Sequence, residues 1–288
     1  ITLTVVSIIQ VSGVLANVLA IITILHSPKV RLSGQGFVLT LCCSDLLFIG
    51  VAFPFIIVAL SRGQWPFGDF LCEFQGFLMC WSVTASTGNM AAIACARFLS
   101  VVHPSIYKQL KTQHLLLMML CAWIYSFVVI LPSVTGWGKI SFSAHVDACV
   151  IEWTYRWDYT YLVAFFVFVV PLSVIAFCYF KIFSVFWVSK SKLAQGQSGG
   201  IKFSSKERRL AVQLLILLGA FLVCWGPYFV LVVCFDRQRR VKRSVYDIVT
   251  NFLVVSSLAD PCIYFFSNPI MRREAKQLLC GFIRRRER

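Results

Sequence analysis

The stretch CEFQGFLMCWSVTASTGNMAAIACARFLSVVHPSIY, residues 72–107, decides the fold of this chain. It is long and apolar, and its one arginine, Arg97, lies near the far end. A helix from Cys72 to Arg97 would span about 37 Å, somewhat more than the roughly 30 Å hydrocarbon core of a bilayer. Because an arginine is costly in a lipid-facing helix, Arg97 is expected to face protein or an internal cavity. The alternative is an anchor that snorkels to lipid headgroups.

The composition is typical of a membrane protein. Hydrophobic residues make up 59% of the 288-residue chain and charged residues only 14%. Windows of about 20 residues find seven apolar runs, each long enough to cross a bilayer. They lie at residues 1–26, 36–61, 71–101, 114–134, 159–188, 210–235 and 245–267.

These runs predict an all-α membrane protein. Its parts are a seven-transmembrane-helix bundle over residues 1–268, then a short amphipathic eighth helix and basic tail over residues 269–288. The sequence begins inside an apolar run without methionine, so a preceding segment is expected.

Basic residues orient the predicted bundle. If the loops alternate sides, nineteen of the 27 Lys and Arg residues fall on the side of Arg97, in residues 27–35, 97–115, 181–209 and 270–288. This excess predicts a cytoplasmic C-terminus and an extracellular N-terminus at the plasma membrane. The net charge of +15 then lies mostly on the cytoplasmic face, where it favours anionic lipid and a protein partner over nucleic acid.

The cysteines suggest different roles. Most lie within spans and are expected to be buried as small apolar side chains. These include Cys42, Cys43, Cys95, Cys121, Cys178, Cys224 and Cys262. Cys72 and Cys149 could form a disulfide that ties an outer loop over the bundle, with Cys234 as a competing partner. Cys280 is a candidate for palmitoylation, the alternative being an unmodified thiol.

Polar residues and prolines within the spans give further expectations. Asn17 should hydrogen bond to another helix, and Asp45, a costly carboxylate at membrane depth, is a functional candidate. Pro54 and Pro227 should kink the second and sixth spans, and Pro261 should break the seventh. Residues 269–281 should form an amphipathic interfacial helix. Its apolar side would carry Ile270, Leu278, Leu279 and Phe282, and its basic side Arg272, Arg273 and Lys276.

Other functional classes have weaker support. No nucleophile–base pair, phosphate loop or metal-ligand spacing is seen in the sequence, so an enzyme is not expected and no cofactor is required. A secondary transporter is the main rival. It would favour a repeated half-structure and charged residues along a pathway, whereas no repeat is seen and the buried acids are Asp45 and Asp260.

One residue in each span carries a resemblance to the rhodopsin-like (class A) G-protein-coupled receptors along the whole chain. These residues are Asn17, Asp45, Arg97, Trp123, Pro171, Pro227 and Pro261. The segments CWGP (224–227) and DPCIY (260–264) resemble the family's CWxP and (N/D)PxxY motifs, and Cys72 and Cys149 match its outer disulfide. The resemblance implies a receptor, of orphan type, that passes an extracellular or membrane-derived signal to heterotrimeric G proteins, with arrestin as a further partner.

The resemblance also implies individual roles. Arg97 would contact the G protein when the sixth span swings outward, and Tyr179 and Tyr264 would turn inward to hold that open state. Trp225 and Phe221, with Pro227 nearby, would relay movement from the ligand pocket.

Four residues resemble the family's sodium pocket. They are Asp45, Ser86, Ser257 and Asp260. Two close carboxylates in a low dielectric need either a cation or a shared proton, so Na⁺ and a proton are the alternatives.

The chain departs from the family pattern around Arg97. Ala96 stands where the family has an acid, which leaves Glu207, at the start of the sixth span, as the resting-state partner. We expect a weakened resting state and raised basal signalling, unless Glu207 and packing compensate. Ser105, followed by Ile106, replaces the family's hydrophobic loop residue, which bears on coupling efficiency and selectivity.

The predicted ligand pocket is apolar and aromatic. Its members are Gln75, Met79, Val83, Phe168, Trp225, Tyr228, Phe229, Val232, Tyr246 and Thr250. Met79 replaces the acid that binds monoamines, and Val254 replaces the lysine that binds retinal, so neither ligand is expected.

Four interpretations of this pocket remain open. It could bind a lipid-like or hydrophobic molecule, or belong to a constitutive signalling modulator whose outer loop fills its own pocket, or be ordinary core packing. Basic residues at the mouth would instead favour an anionic ligand. These are Arg237, Arg239, Arg240, Lys242 and Arg243.

Overall fold

The computed structural model describes residues 2–30, 36–194, 205–232 and 242–286. Seven helices in these residues are long and apolar enough to cross a membrane, which confirms the predicted number of spans. They are Leu3–His26, Phe37–Arg62, Gly68–Val102, Thr112–Ser133, Trp157–Ser189, Arg209–Val230 and Ser244–Ser267.

The helices are α1 (Thr2–His26), α2 (Pro28–Val30), α3 (Gly36–Leu46), α4 (Phe53–Arg62), α5 (Gly68–Val102), α6 (Pro104–Gln109), α7 (Thr112–Ile130), α8 (Trp157–Ala164), α9 (Val170–Ala194), α10 (Ser205–Val230), α11 (Arg243–Ser267) and α12 (Pro269–Arg286). The strands are β1 (Ile140–Ser143) and β2 (Ala148–Ile151), and a 3₁₀ turn covers Leu131–Ser133. The end of the bundle that carries β1 and β2 is termed the hairpin end, and the end that carries Arg97 the arginine end.

Two prolines are preceded by wide helical turns. A π-helical segment, Leu47–Ala52, comes just before Pro54 in the second span, and another, Phe165–Val169, just before Pro171 in the fifth. Proline lacks an N–H and its ring collides with the carbonyl four residues earlier, and the wider turn accommodates both. The distortion expected at Pro54 therefore takes this form.

The expected break at Pro261 is wrong, because α11 runs through it to Ser267. Proline at this position removes the N–H that would bond the carbonyl of Ser257, four residues earlier. The side-chain amide of Asn17, in the first span, donates to that carbonyl at 2.9 Å. The expected interhelical bond of Asn17 is thus confirmed, and it satisfies the carbonyl that proline leaves free. The sixth helix likewise continues through Pro227.

The third span, α5, lies at the centre of the bundle. It packs against α3, α7, α9 and both strands, so most of its length is buried by protein. Among the cysteines expected to be buried, Cys42, Cys178 and Cys224 are, but Cys43 and Cys121 are exposed. In a membrane no hydrophobic effect drives apolar side chains inward, so sequence hydropathy does not separate the two cases.

The amphipathic eighth helix is α12. Its residues Met271 and Ala275 are buried against the bundle, where α12 packs on α1 and α2. Ile270 and Leu279, from the predicted apolar side, are exposed. This arrangement suits an interfacial helix with one apolar surface toward the protein and another toward lipid.

Candidate functional site

A disulfide-linked hairpin covers one end of the bundle. Strands β1 and β2 are antiparallel, with Phe142 opposite Cys149. Cys149 is bonded to Cys72 at the start of the third span, so the predicted disulfide is present. The competing Cys234 lies outside the described residues. Because β2 is buried along its whole length, the hairpin is part of the packed bundle.

Two consecutive residues of the third span, Gln75 and Gly76, contact this hairpin. The side-chain oxygen of Gln75 accepts the backbone N–H of Cys149 at 2.9 Å. A Cβ added to Gly76 would lie 2.5 Å from Cγ2 of Ile140 and 2.8 Å from the carbonyl oxygen of Cys149. Gly76 thus permits the close approach, and Gln75, placed in the ligand pocket by the sequence, anchors the hairpin backbone.

Substitution of Gly76 by alanine is expected to weaken hairpin docking. Overpacking of a tight contact costs about 1–3 kcal/mol, which should lower the unfolding temperature of the purified protein. Gly219→Ala is the matched control, since an added Cβ there meets nothing within 4 Å. Equal unfolding temperatures for the two variants would contradict this role of Gly76.

A cavity of about 340 Å³ lies beneath the hairpin. This volume falls within the range of small-molecule sites. Its lining comprises Val6, Phe48, Phe53, Ile56, Leu60, Met79, His145, Val146, Asp147, Ala148, Val150, Trp225, Tyr228, Thr250, Asn251, Leu253 and Val254. The polar groups come from the hairpin turn and the seventh span, and the remainder is mainly apolar and aromatic.

The predicted pocket residues divide among this cavity and two neighbours. The main cavity takes Met79, Trp225, Tyr228 and Thr250. A cavity of about 50 Å³ between the third, fifth and sixth spans adds Val83, Phe168 and Phe229. A cavity of about 390 Å³ along the hairpin adds Val232 and Tyr246.

Sequence reasoning missed the contributions of the first two spans and of the hairpin turn. Trp153 was also missed, although its indole N–H lies 3.5 Å from the hydroxyl of Tyr228. The number of aromatic residues in the loop was the only available signal. The side chains of most of the predicted basic mouth lie outside the described residues.

Trp225, on the sixth span, lines the main cavity and contacts the second and seventh spans. Its ring stacks on Phe221 with centroids 6.1 Å apart and meets the edge of Phe48 at 5.7 Å. Its N–H donates to the hydroxyl of Ser256 at 3.1 Å. Movement of Trp225 would therefore change its contacts with both the second and the seventh spans.

Directly below Trp225, the four residues of the predicted sodium pocket come together. Asp45, Ser86, Ser257 and Asp260 line one cavity of about 10 Å³. The carboxyl groups of Asp45 and Asp260 therefore lie close together, and both residues are buried. Two such groups close together need a proton or a cation between them, and carboxylate and hydroxyl oxygens suit a hard cation. Within the described residues, no group of three or more His, Cys, Asp or Glu side chains is arranged so that it could hold a metal ion.

Arg97 faces protein, as expected, and is 9% exposed. It lines a cavity of about 20 Å³ whose wall includes Leu210, Gln213 and Leu214 of the sixth span. The side chain is thus covered by the sixth span in a closed arrangement. Ala96, also buried, brings no carboxylate next to it.

The two predicted switch tyrosines, Tyr179 and Tyr264, are both buried. Tyr179 donates its hydroxyl to the carbonyl of Ala211 in the sixth span at 3.2 Å. The hydroxyl of Tyr264 has no hydrogen-bond partner among the described residues. A buried hydroxyl without a partner is costly, so a rearrangement that satisfies Tyr264 would gain free energy. The side chain of Glu207 lies outside the described residues.

The remaining predicted site residues are accessible at the arginine end. Ser105 and Ile106 are exposed on α6, where a partner could reach them. Cys280 is exposed on α12, close to the expected lipid interface. These positions suit contact with a protein or a membrane.

Comparison with known proteins places the chain in a family. Residues 16–264 match the family described as "7 transmembrane receptor (rhodopsin family)". Melatonin receptor type 1C of Xenopus laevis is 28% identical over 279 residues, which cover 95% of this chain and 66% of that receptor. The type 1C receptor of Gallus gallus is 28% identical over 275 residues, with coverages of 93% and 79%.

More distant matches agree with this assignment. G-protein coupled receptor 161 of Danio rerio is 26% identical over 297 residues, which cover 93% of this chain and 56% of that protein. The crystal structure of squid rhodopsin shares the fold, with a TM-score of 0.82 at 23% identity over 96% of this chain and 84% of the other. Because the family match covers well over half of its length, this chain belongs to the rhodopsin family of seven-transmembrane receptors.

Proposed function

We propose that this class A G-protein-coupled receptor receives a signal at an extracellular hairpin end and couples to a G protein at a cytoplasmic arginine end, with raised basal activity. The observation that carries the proposal is the covered Arg97, held beneath the sixth span without an acid at position 96. An outward tilt of the sixth span would uncover the guanidinium for a partner. The loss of the neighbouring acid would make that tilt less costly.

The test is agonist-free nucleotide exchange in reconstituted vesicles with each G-protein class. Wild type is expected to stimulate at least one class above empty vesicles, and Arg97→Ala should abolish the stimulation. Arg62→Ala, a change of an exposed arginine that ends α4 at the hairpin end, is the control and should behave as wild type. Full exchange by Arg97→Ala would reject the proposed coupling role.

The main cavity favours a neutral, lipid-like ligand. Its floor is apolar and aromatic, while His145, Asp147 and Asn251 offer polar groups. Melatonin, the compound in the names of the relatives, is a neutral aromatic amide and is the first ligand to test. Trp225→Ala should weaken its binding relative to wild type.

The hairpin supports a second candidate, a receptor that needs no diffusible ligand. Val146 and Val150 reach into the main cavity beside Trp225. In this case the hairpin itself would act as agonist, and Val146→Ala would lower basal exchange. If the hairpin is only a lid over a ligand site, the same change should leave basal exchange unchanged or raise it.

Na⁺ is proposed to occupy the Asp45–Asp260 cavity in the resting state. The cation would be held by these carboxylates together with Ser86 and Ser257. Replacing choline chloride by NaCl at constant ionic strength should raise the unfolding temperature and lower basal exchange, because Na⁺ stabilises only the state that binds it. Asp45→Asn should remove both effects. No response of the wild type would leave a shared proton as the explanation.

Further partners are proposed at the arginine end. Arrestin would compete with the G protein for the opened surface. Anionic lipid would contact the exposed Arg272, Arg273 and Lys276, and a palmitoyl group on Cys280 would hold α12 at the interface.

A further inference from the structure

Two free cysteines face each other between the third and fifth spans. The sulfur atoms of Cys95 and Cys178 are 3.9 Å apart, and the thiol of Cys178 donates to the sulfur of Cys95. Cys178 is buried, whereas Cys95 is partly exposed. The two thiols therefore differ in access while sharing one contact.

The distance allows a disulfide after a small rearrangement. A disulfide requires sulfur atoms about 2.05 Å apart, so the present gap must close by about 1.9 Å. The third and fifth spans pack closely along their length. Rotation of the two side chains, with a small shift of the helices, can supply this movement.

We propose that Cys95 and Cys178 form a peroxide-reactive dithiol that is converted to an intramolecular disulfide. The more accessible Cys95 attacks the O–O bond of a hydroperoxide, giving a sulfenic acid on Cys95 and releasing an alcohol, or water when the oxidant is hydrogen peroxide. The sulfur of Cys178 then attacks the sulfur of the sulfenic acid, and the S–O bond breaks to release water. The two thiols are oxidised by two electrons, and the peroxide is reduced by two.

The difference in access, together with the hydrogen bond, assigns the roles of the two sulfurs, because Cys95 is partly exposed and Cys178 is buried. A donor aimed at Cys95 stabilises negative charge on that sulfur, which the attacking thiolate requires. Cys178, the donor, is buried and acts second. A neutral hydroperoxide can reach this depth through the lipid, since it carries no charge to desolvate.

The position of the dithiol predicts its effect on the receptor. Cys95 lies two residues before Arg97. Cys178 lies next to Tyr179, whose hydroxyl donates a hydrogen bond to the sixth span. The rings of Phe98 and Phe177, beside the two cysteines, are 6.0 Å apart. A disulfide here would hold the third and fifth spans in the closed arrangement, so oxidation should reduce basal nucleotide exchange.

The test treats the full chain in membrane vesicles with tert-butyl hydroperoxide and then blocks free thiols before proteolysis and mass spectrometry. Wild type should lose two free thiols and yield a Cys95–Cys178 peptide pair that disappears after reduction. In Cys178→Ala, Cys95 should accumulate as a dimedone-reactive sulfenic acid. In Cys95→Ala, Cys178 should stay reduced. Cys121→Ala, which removes an exposed cysteine of the fourth span, is the control and should form the Cys95–Cys178 link as wild type does.

The chemical result is independent of G-protein coupling, so it can fail separately from the proposed function. Retention of the Cys72–Cys149 disulfide in every variant serves as the check on folding. Absence of the Cys95–Cys178 link, or its formation only in denatured protein, would overturn the proposal. A link that forms while basal exchange stays constant would overturn its effect on the receptor.

Discussion

Replacement of Ala96 by aspartate is expected to lower agonist-free signalling about fivefold, which corresponds to roughly 1 kcal/mol of added preference for the closed state. Ala96 is buried directly before Arg97. A carboxylate at this position would pair with the guanidinium while the sixth span covers it, and the pair would be lost when Arg97 turns to a partner. The figure is at the lower end for a buried pair because the arginine end lies near water.

Asparagine at the same position separates charge from size. Ala96→Asn introduces a side chain of nearly the same volume without the negative charge, so its basal output should stay close to that of wild type. Output should be normalised to the amount of receptor in the membrane. Equal outputs from the aspartate and asparagine variants would show that the missing acid is not the cause of raised basal activity.

Loss of the disulfide is expected to cause the largest change in stability. Substitution of Cys149 by serine should lower the free energy of unfolding by about 2–5 kcal/mol, because the disulfide closes a long loop. Cys72 and Cys149 are separated by 77 residues, and Cys149 is fully buried at the third span. The unpaired hydroxyl would add a desolvation cost.

Two controls define this effect. Cys121→Ser changes an exposed cysteine of the fourth span and should leave the unfolding temperature nearly unchanged. The double variant Cys72→Ser, Cys149→Ser should lose about as much stability as Cys149→Ser alone, because both remove the same bond. If Cys149→Ser unfolds at the wild-type temperature, the hairpin does not depend on its covalent link.

The sequence was sufficient for features that depend on local composition. Seven apolar runs predict seven spans because each run must satisfy its own backbone hydrogen bonds in lipid. The position of Arg97 follows from helix length alone. The break expected at Pro261 failed because the compensating donor, Asn17, lies 240 residues away in the chain.

The cavity was less predictable for a similar reason. Gln75 has the helical phase of a pocket residue, yet its side-chain oxygen accepts a hydrogen bond from the backbone N–H of Cys149. The hairpin turn and the first span contribute lining that no periodicity reveals. Cys95 and Cys178 were predicted to be separate apolar fillers, and only the packing of two spans brings their sulfurs together.

The central claim is that the sixth span moves away from Arg97 when a G protein binds. Leu117 and Val212, both exposed near the arginine end, can each be replaced by p-acetylphenylalanine and spin-labelled. The distance between the two labels measures the separation of the fourth and sixth spans. A Leu25–Leu117 pair, also exposed, serves as the reference. On addition of nucleotide-free G protein, the Leu117–Val212 distance should lengthen while the reference distance stays constant. An unchanged Leu117–Val212 distance with the G protein bound and active would contradict the account.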